Sequence, residues 1–133
     1  MFGSRTIAAS LVALSSLTLS PGALAAAPAP ASAAPAMQVP PPRSAVTGRV
    51  QAFATNTYTT FLVAGQLTII AGKGDGSTDL DMAVYDPAGR LVAWDFRADD
   101  RMLVNFIPMR TGIYRIEIRN RGRWFNDFAL GIW

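Results

Sequence analysis

The chain has 133 residues, half of them hydrophobic, a formal net charge of +3, and neither histidine nor cysteine. Those two absences exclude a Ser-His-Asp triad, a histidine metal site, thiol catalysis, thiolate metal ligation and disulfides. The near balance of arginine against acid gives no ground for a nucleic-acid partner.

Arg5 supplies a short positive segment, and Ile7 to Leu19 is an uncharged apolar run. Pro21-Gly22 breaks that run, and Ala23-Leu24-Ala25 has the small-x-small pattern of a signal peptidase site. Residues 1–25 are therefore expected to be a Sec-type signal peptide, cut after Ala25 or after Ala27, and the protein to be secreted or periplasmic. The run is short for a membrane span of about 20 residues, so no span is expected in the mature chain. No cysteine follows to carry a lipid anchor, and removing Arg5 lowers the charge from +3 to +2. Residues 26–43 are rich in alanine and proline, which suits a semi-extended tether. Past Arg43 lie nearly all the aromatic residues and only two of the nine prolines, Pro87 and Pro108. Residues 44–133 are expected to form one domain with a single modest core. Without disulfides, its stability rests on apolar burial and hydrogen bonds, with a metal ion as an open alternative.

Within that domain the hydrophobic period is two almost throughout. Val46 to Phe53 alternates loosely, and Tyr58 to Val63 and Leu67 to Ala71 read as strands. Gly72 to Ser77 is glycine-rich; it lacks the Gly-Lys-Ser/Thr ending and following helix of a phosphate loop, and is read as a hairpin turn. Leu80, Met82 and Val84 share one face, opposite Asp79, Asp81, Ala83 and Tyr85. Asp86-Pro87-Ala88-Gly89 is a turn, with proline presetting φ and glycine closing it. The strand resumes over Leu91 to Phe96, completing a hairpin in which Trp94 and Phe96 are assigned to the core. Met102, Val104 and Phe106 alternate; Tyr114, Ile116 and Ile118 are expected inside, with Arg115, Glu117 and Arg119 outside. Phe128, Leu130 and Ile132 close the domain. No window carries the helical period. The fold class is all-β, an antiparallel sandwich of seven or eight strands.

Ala64 to Ile69, then Gly74-Asp75-Gly76-Ser77-Thr78-Asp79-Leu80-Asp81 running on to Tyr85-Asp86-Pro87-Ala88-Gly89, resembles the bacterial pre-peptidase C-terminal domain. Phe106-Ile107-Pro108, Thr111 to Ile116 and Asn120 before the closing strand extend the resemblance over most of residues 58–133. It implies a jelly-roll-like sandwich, appended in the family to secreted proteases and other hydrolases, non-catalytic, with related collagen-binding modules that bind calcium and matrix protein. Here the module would stand alone behind a signal peptide, with no protease domain, which puts a role as an enzyme's appendage in doubt.

Two residue sets are candidates for chemistry. Asp75, Asp79, Asp81 and Asp86 offer hard oxygen ligands suited to calcium, although Leu80 occupies the position where an EF-hand loop needs glycine. Asp79 and Asp81 serve equally as caps of the strand start, or as cross-strand partners of Arg115 or Arg119. Arg119, Arg121, Arg123 and Trp124 form the candidate binding surface, matched to a sulfated or carboxylated polymer; the alternative is a solvated face with Glu117 and Asp127 pairing the arginines. Two aspartates formally suffice for a glycosidase pair, but the domain is small for a substrate cleft and no enzyme activity is expected. The expected function is a non-catalytic exported module that binds an extracellular or envelope protein or polysaccharide. The alternative is a calcium-stabilised structural or assembly module serving a separately encoded exported enzyme.

Overall fold

Alternating side chains set between turn formers fold into eight strands. In the computed structural model, which describes residues 39–133, these are β1 (Ser44–Val50), β2 (Thr55–Leu62), β3 (Thr68–Gly74), β4 (Leu80–Tyr85), β5 (Leu91–Asp95), β6 (Arg101–Phe106), β7 (Gly112–Asn120) and β8 (Asn126–Ile132). No helix occurs among the described residues. The signal-like segment and most of the alanine- and proline-rich tether lie outside them.

The pairing follows one rule. The first strand pairs with the eighth, the second with the seventh, the third with the sixth and the fourth with the fifth, all antiparallel. This is a single long hairpin whose tip is the turn Asp86–Gly89, where the Gly89 N–H donates to the Asp86 carbonyl at 2.8 Å and Gly89 has φ of 80°. Rolling the hairpin adds the β3–β8 and β4–β7 pairs and yields two four-stranded sheets, β1-β8-β3-β6 and β2-β7-β4-β5. That nesting is a jelly roll, and it is the all-β sandwich expected from alternation.

Inward positions of both sheets form one core, including Ile70, Met82, Val84, Met102, Tyr114, Ile116, Ile118, Phe128 and Leu130. Burying each of these contributes about 1.5–3 kcal/mol. Tyr114 keeps its hydroxyl satisfied by donating to the Arg110 carbonyl at 2.8 Å.

Two sequence expectations are corrected here. Trp94 and Phe96 are not core: they are 57% and 54% exposed, while Ala93 and Asp95 point inward. The phase of β5 is set by Asp95, whose carboxylate accepts the Leu103 N–H of β6 at 2.8 Å and the Arg97 guanidinium at 2.7 Å. Gly72 and Gly74 are not turn residues but belong to β3, and the segment after them crosses between sheets instead of closing a hairpin. Both are glycine because neighbours press on them. A Cβ at Gly72 would lie 2.7 Å from Met102 Cε, and one at Gly74 would lie 2.8 Å from the Asp100 carboxylate.

Candidate functional site

The outward face of the β2-β7-β4-β5 sheet gathers side chains that are remote in sequence. Register places Thr55, Arg119 and Asp81 in one row across β2, β7 and β4. The next row is Thr57, Glu117, Ala83 and Trp94, and the one after it is Thr59, Arg115, Tyr85 and Leu91. Between them lies a cleft of about 300 Å³ lined by Thr55, Asp81, Ala83, Tyr85, Phe96, Glu117, Arg119 and Arg121.

The charges in and beside this cleft hold one another in place. Arg121 Nη1 lies 2.9 Å from Asp81 Oδ2, and Arg115 Nε lies 3.2 Å from Glu117 Oε1. The Arg115 guanidinium also sits over the Tyr85 ring, 4.4 Å from its centroid. Arg119 lies between these two pairs and takes part in no ion pair among the described residues.

Beyond the cleft, β7 runs into the β7–β8 loop. The buried Asn120 holds that loop by accepting from the Gly122 N–H at 2.8 Å and donating to the Trp124 carbonyl at 2.6 Å. Trp124 is thereby kept 72% exposed, and Arg123 is exposed beside it. Arg49 stacks on the Phe125 ring at 3.9 Å while pairing bidentately with Asp127 at 2.7 Å. In the neighbouring β1–β2 loop, Phe53 is 65% exposed at φ of 57°, with its N–H bonded to the Gly122 carbonyl at 3.2 Å. A bulky residue in the left-handed region is costly and is held there by its surroundings.

Of the four expected binding residues, Arg119 and Arg121 line the cleft, and Arg123 and Trp124 stand on the loop that continues from it. Tyr85, Phe96, Thr55 and Phe53 join them and were not foreseen. Alternation placed Tyr85 outward, but only the strand order brings it beside Arg115 and into the cleft that Arg119 lines.

The four aspartates considered for calcium are dispersed. Asp86 lies in the β4–β5 turn, where it accepts the Ala88 and Arg90 N–H groups and the Arg90 guanidinium, all within 2.9 Å. Those bonds, the Arg90 side chain first, hold its carboxyl below the usual range. Asp81 is taken by Arg121, not by the expected Arg115 or Arg119. Asp75 bonds Ser77 and accepts the Asp127 N–H. Asp79 differs: its Oδ1 is buried with no hydrogen-bond partner, and desolvation, with Asp81 and Asp99 nearby, pushes its carboxyl up. Among the described residues no three carboxylates converge on a common point. As arranged they do not fit calcium, which takes six to eight oxygen ligands.

No family model and no curated protein matches the sequence. Among solved structures, the chain is similar to the pre-peptidase C-terminal domain of a collagenase from Bacillus anthracis, with a TM-score of 0.59 and 12% identity, covering 68% of this chain and 88% of that one. A periplasmic inhibitor of g-type lysozyme from Aeromonas hydrophila matches at a TM-score of 0.49 and 17% identity, over 68% and 85% of the two chains. The sandwich described above is therefore like that of a pre-peptidase C-terminal domain in fold.

Proposed function

We propose that the chain is a non-catalytic binding module, secreted or periplasmic, that holds a protein or polysaccharide partner across its β2-β7-β4-β5 face and adjoining loop. One observation carries this. Arg119 lacks an acidic partner among the described residues, in a cleft whose other guanidinium, that of Arg121, is fixed by Asp81, and whose Glu117 is paired with the neighbouring Arg115. A guanidinium left open between fixed neighbours suits a carboxylate or sulfate on the partner. Tyr85 and Phe96 supply flat surface for a sugar ring or an apolar side chain, and Trp124 and Phe53 extend it past the cleft.

The test is binding of the purified chain to isolated cell-envelope polysaccharide and to secreted proteins. Arg119→Ala and Trp124→Ala are each expected to weaken capture at least about tenfold, in line with loss of an interfacial anchor. Unchanged capture by both variants would remove the face as the site.

A further inference from the structure

The two ends of the sandwich differ in kind. At one end the β3–β4 and β5–β6 connections carry Asp75, Asp79, Asp99 and Asp100, and arginines stand among them. At the other the β2–β3 and β6–β7 connections meet. Residues 61–69 carry no charge there, and residues 106–114 carry only Arg110. Six large apolar side chains are exposed at this end: Phe61, Val63, Leu67, Ile107, Met109 and Ile113, with Met109 at 92%.

Backbone bonds hold them in place. The Gly65 N–H donates to the Pro108 carbonyl at 2.9 Å and the Ala64 N–H to Thr111 Oγ1 at 3.0 Å, which ties the two loops together. Phe61 and Ile113 are cross-strand partners on the outward face of one sheet. Leu67 and Ile107 flank the Thr68–Phe106 pair and continue the outward rows of β3 and β6 on the other sheet. Val63 and Met109 stand on the loops between. The apolar surface thus wraps around the tip of the domain instead of lying on one side. A rigid partner covers one side, whereas a fluid apolar phase surrounds a tip.

Charge favours the same phase. Arg110 is exposed, and so is Arg43, whose N–H bonds the Ile132 carbonyl beside β3. Neither takes part in an ion pair among the described residues. Asp86, the acid of the β4–β5 turn at this end, is buried against Arg90.

We propose that this tip inserts its apolar side chains into the interface of an anionic lipid bilayer, with Arg43 and Arg110 against the headgroup phosphates. The tip shares no residue with the β2-β7-β4-β5 cleft, and its attachment to lipid does not depend on the binding role of that face.

A site-specific label tests this. Because the chain contains no cysteine, Met109→Cys gives a single thiol for a polarity-sensitive fluorophore. With vesicles of equimolar phosphatidylglycerol and phosphatidylcholine, its emission is expected to shift to the blue. The same label at Leu103→Cys, exposed midway along β6, is expected not to shift, which separates insertion of the tip from attachment through the apolar run Ile7 to Leu19. In the Met109-labelled chain, Leu67→Asp and Ile107→Asp are each expected to raise the lipid concentration at half-shift at least about tenfold, as for loss of one buried aliphatic side chain. Arg110→Ala is expected to raise it about fivefold, as for one cation at an anionic surface. An unchanged far-UV spectrum confirms folding in each variant. A Met109 label that vesicles leave unmoved overturns the proposal, as does an equal shift at Leu103 or a titration that both aspartate variants leave unchanged. So does a stable dimer in sedimentation velocity that Ile107→Asp dissolves, because a second copy then covers the tip.

Discussion

The buried amide of Asn120 spans the β7–β8 loop, donating to the Trp124 carbonyl while accepting the Gly122 N–H, and so fixes the two ends of the loop that displays Arg123. Its Nδ2 also reaches the Val50 carbonyl at 3.4 Å. Asn120→Ala leaves these groups unsatisfied in the interior. It is expected to lower stability by about 2–3 kcal/mol and to speed hydrogen exchange at Gly122. Urea unfolding with exchange by NMR checks both, and an unchanged urea midpoint would mean that the loop holds itself.

Asp79 is a buried cost. Its folded-state carboxyl titrates higher than in the unfolded chain, because its ionised form is desolvated and faces Asp81 and Asp99. The ionised form therefore destabilises the fold at neutral pH, and the penalty fades as pH falls through the raised folded value. Asp79→Asn places an amide N–H near those carboxylates and is expected to stabilise the protein by about 1 kcal/mol at neutral pH. The gain should vanish in acid. Thermal melts at neutral and low pH measure the difference, and the same melts with calcium or a chelator are expected to superimpose.

Acid should act oppositely through Asp86 and Asp95. Both are held below the usual carboxylate range, Asp86 chiefly by the Arg90 side chain and Asp95 chiefly by that of Arg97. The stability they contribute is full above the unfolded value of about 3.9 and is lost as pH falls through their lower folded values. Asp95→Ala also strips the Leu103 N–H of its acceptor, at an expected cost of about 1–3 kcal/mol. An acid titration followed by circular dichroism should show the wild type losing stability below about pH 4, and Asp95→Ala showing a smaller dependence.

Phe53 sits in a backbone conformation that asparagine adopts readily and phenylalanine does not. Phe53→Asn is expected to raise stability by about 0.5–1 kcal/mol and to weaken partner capture, because an exposed ring is lost. Denaturant melts and the capture assay separate the two effects. A variant that is both less stable and fully competent would mean that the ring packs rather than binds.

Much of the fold was legible from local period. Tyr114, Ile116 and Ile118 inside, and Arg115, Glu117 and Arg119 outside, follow from alternation alone, and the turn at Asp86–Gly89 follows from its proline and glycine. The phase of β5 was not legible. Trp94 is the more hydrophobic residue, yet Asp95 faces inward because of bonds to Leu103 and Arg97, one of them on a different sheet. For the site, outward alternation identified Arg119, and proximity in sequence added Arg121, Arg123 and Trp124. Joining Tyr85 and Phe96 to them requires the order β2-β7-β4-β5, which no local pattern encodes. The Asp81–Arg121 pair was missed for a similar reason, since Arg121 lies in the loop beyond β7 and reaches back to β4.

The rolled hairpin also orders its own assembly. The β4–β5 pair closes the shortest loop, and each pair outward from it closes a longer one, ending with β1 on β8, where the Arg43 N–H meets the Ile132 carbonyl and the Trp133 indole donates to the Pro40 carbonyl. Loop-closure entropy rises along that series, so the seam between the two ends of the domain is the last to zip and the first to fray.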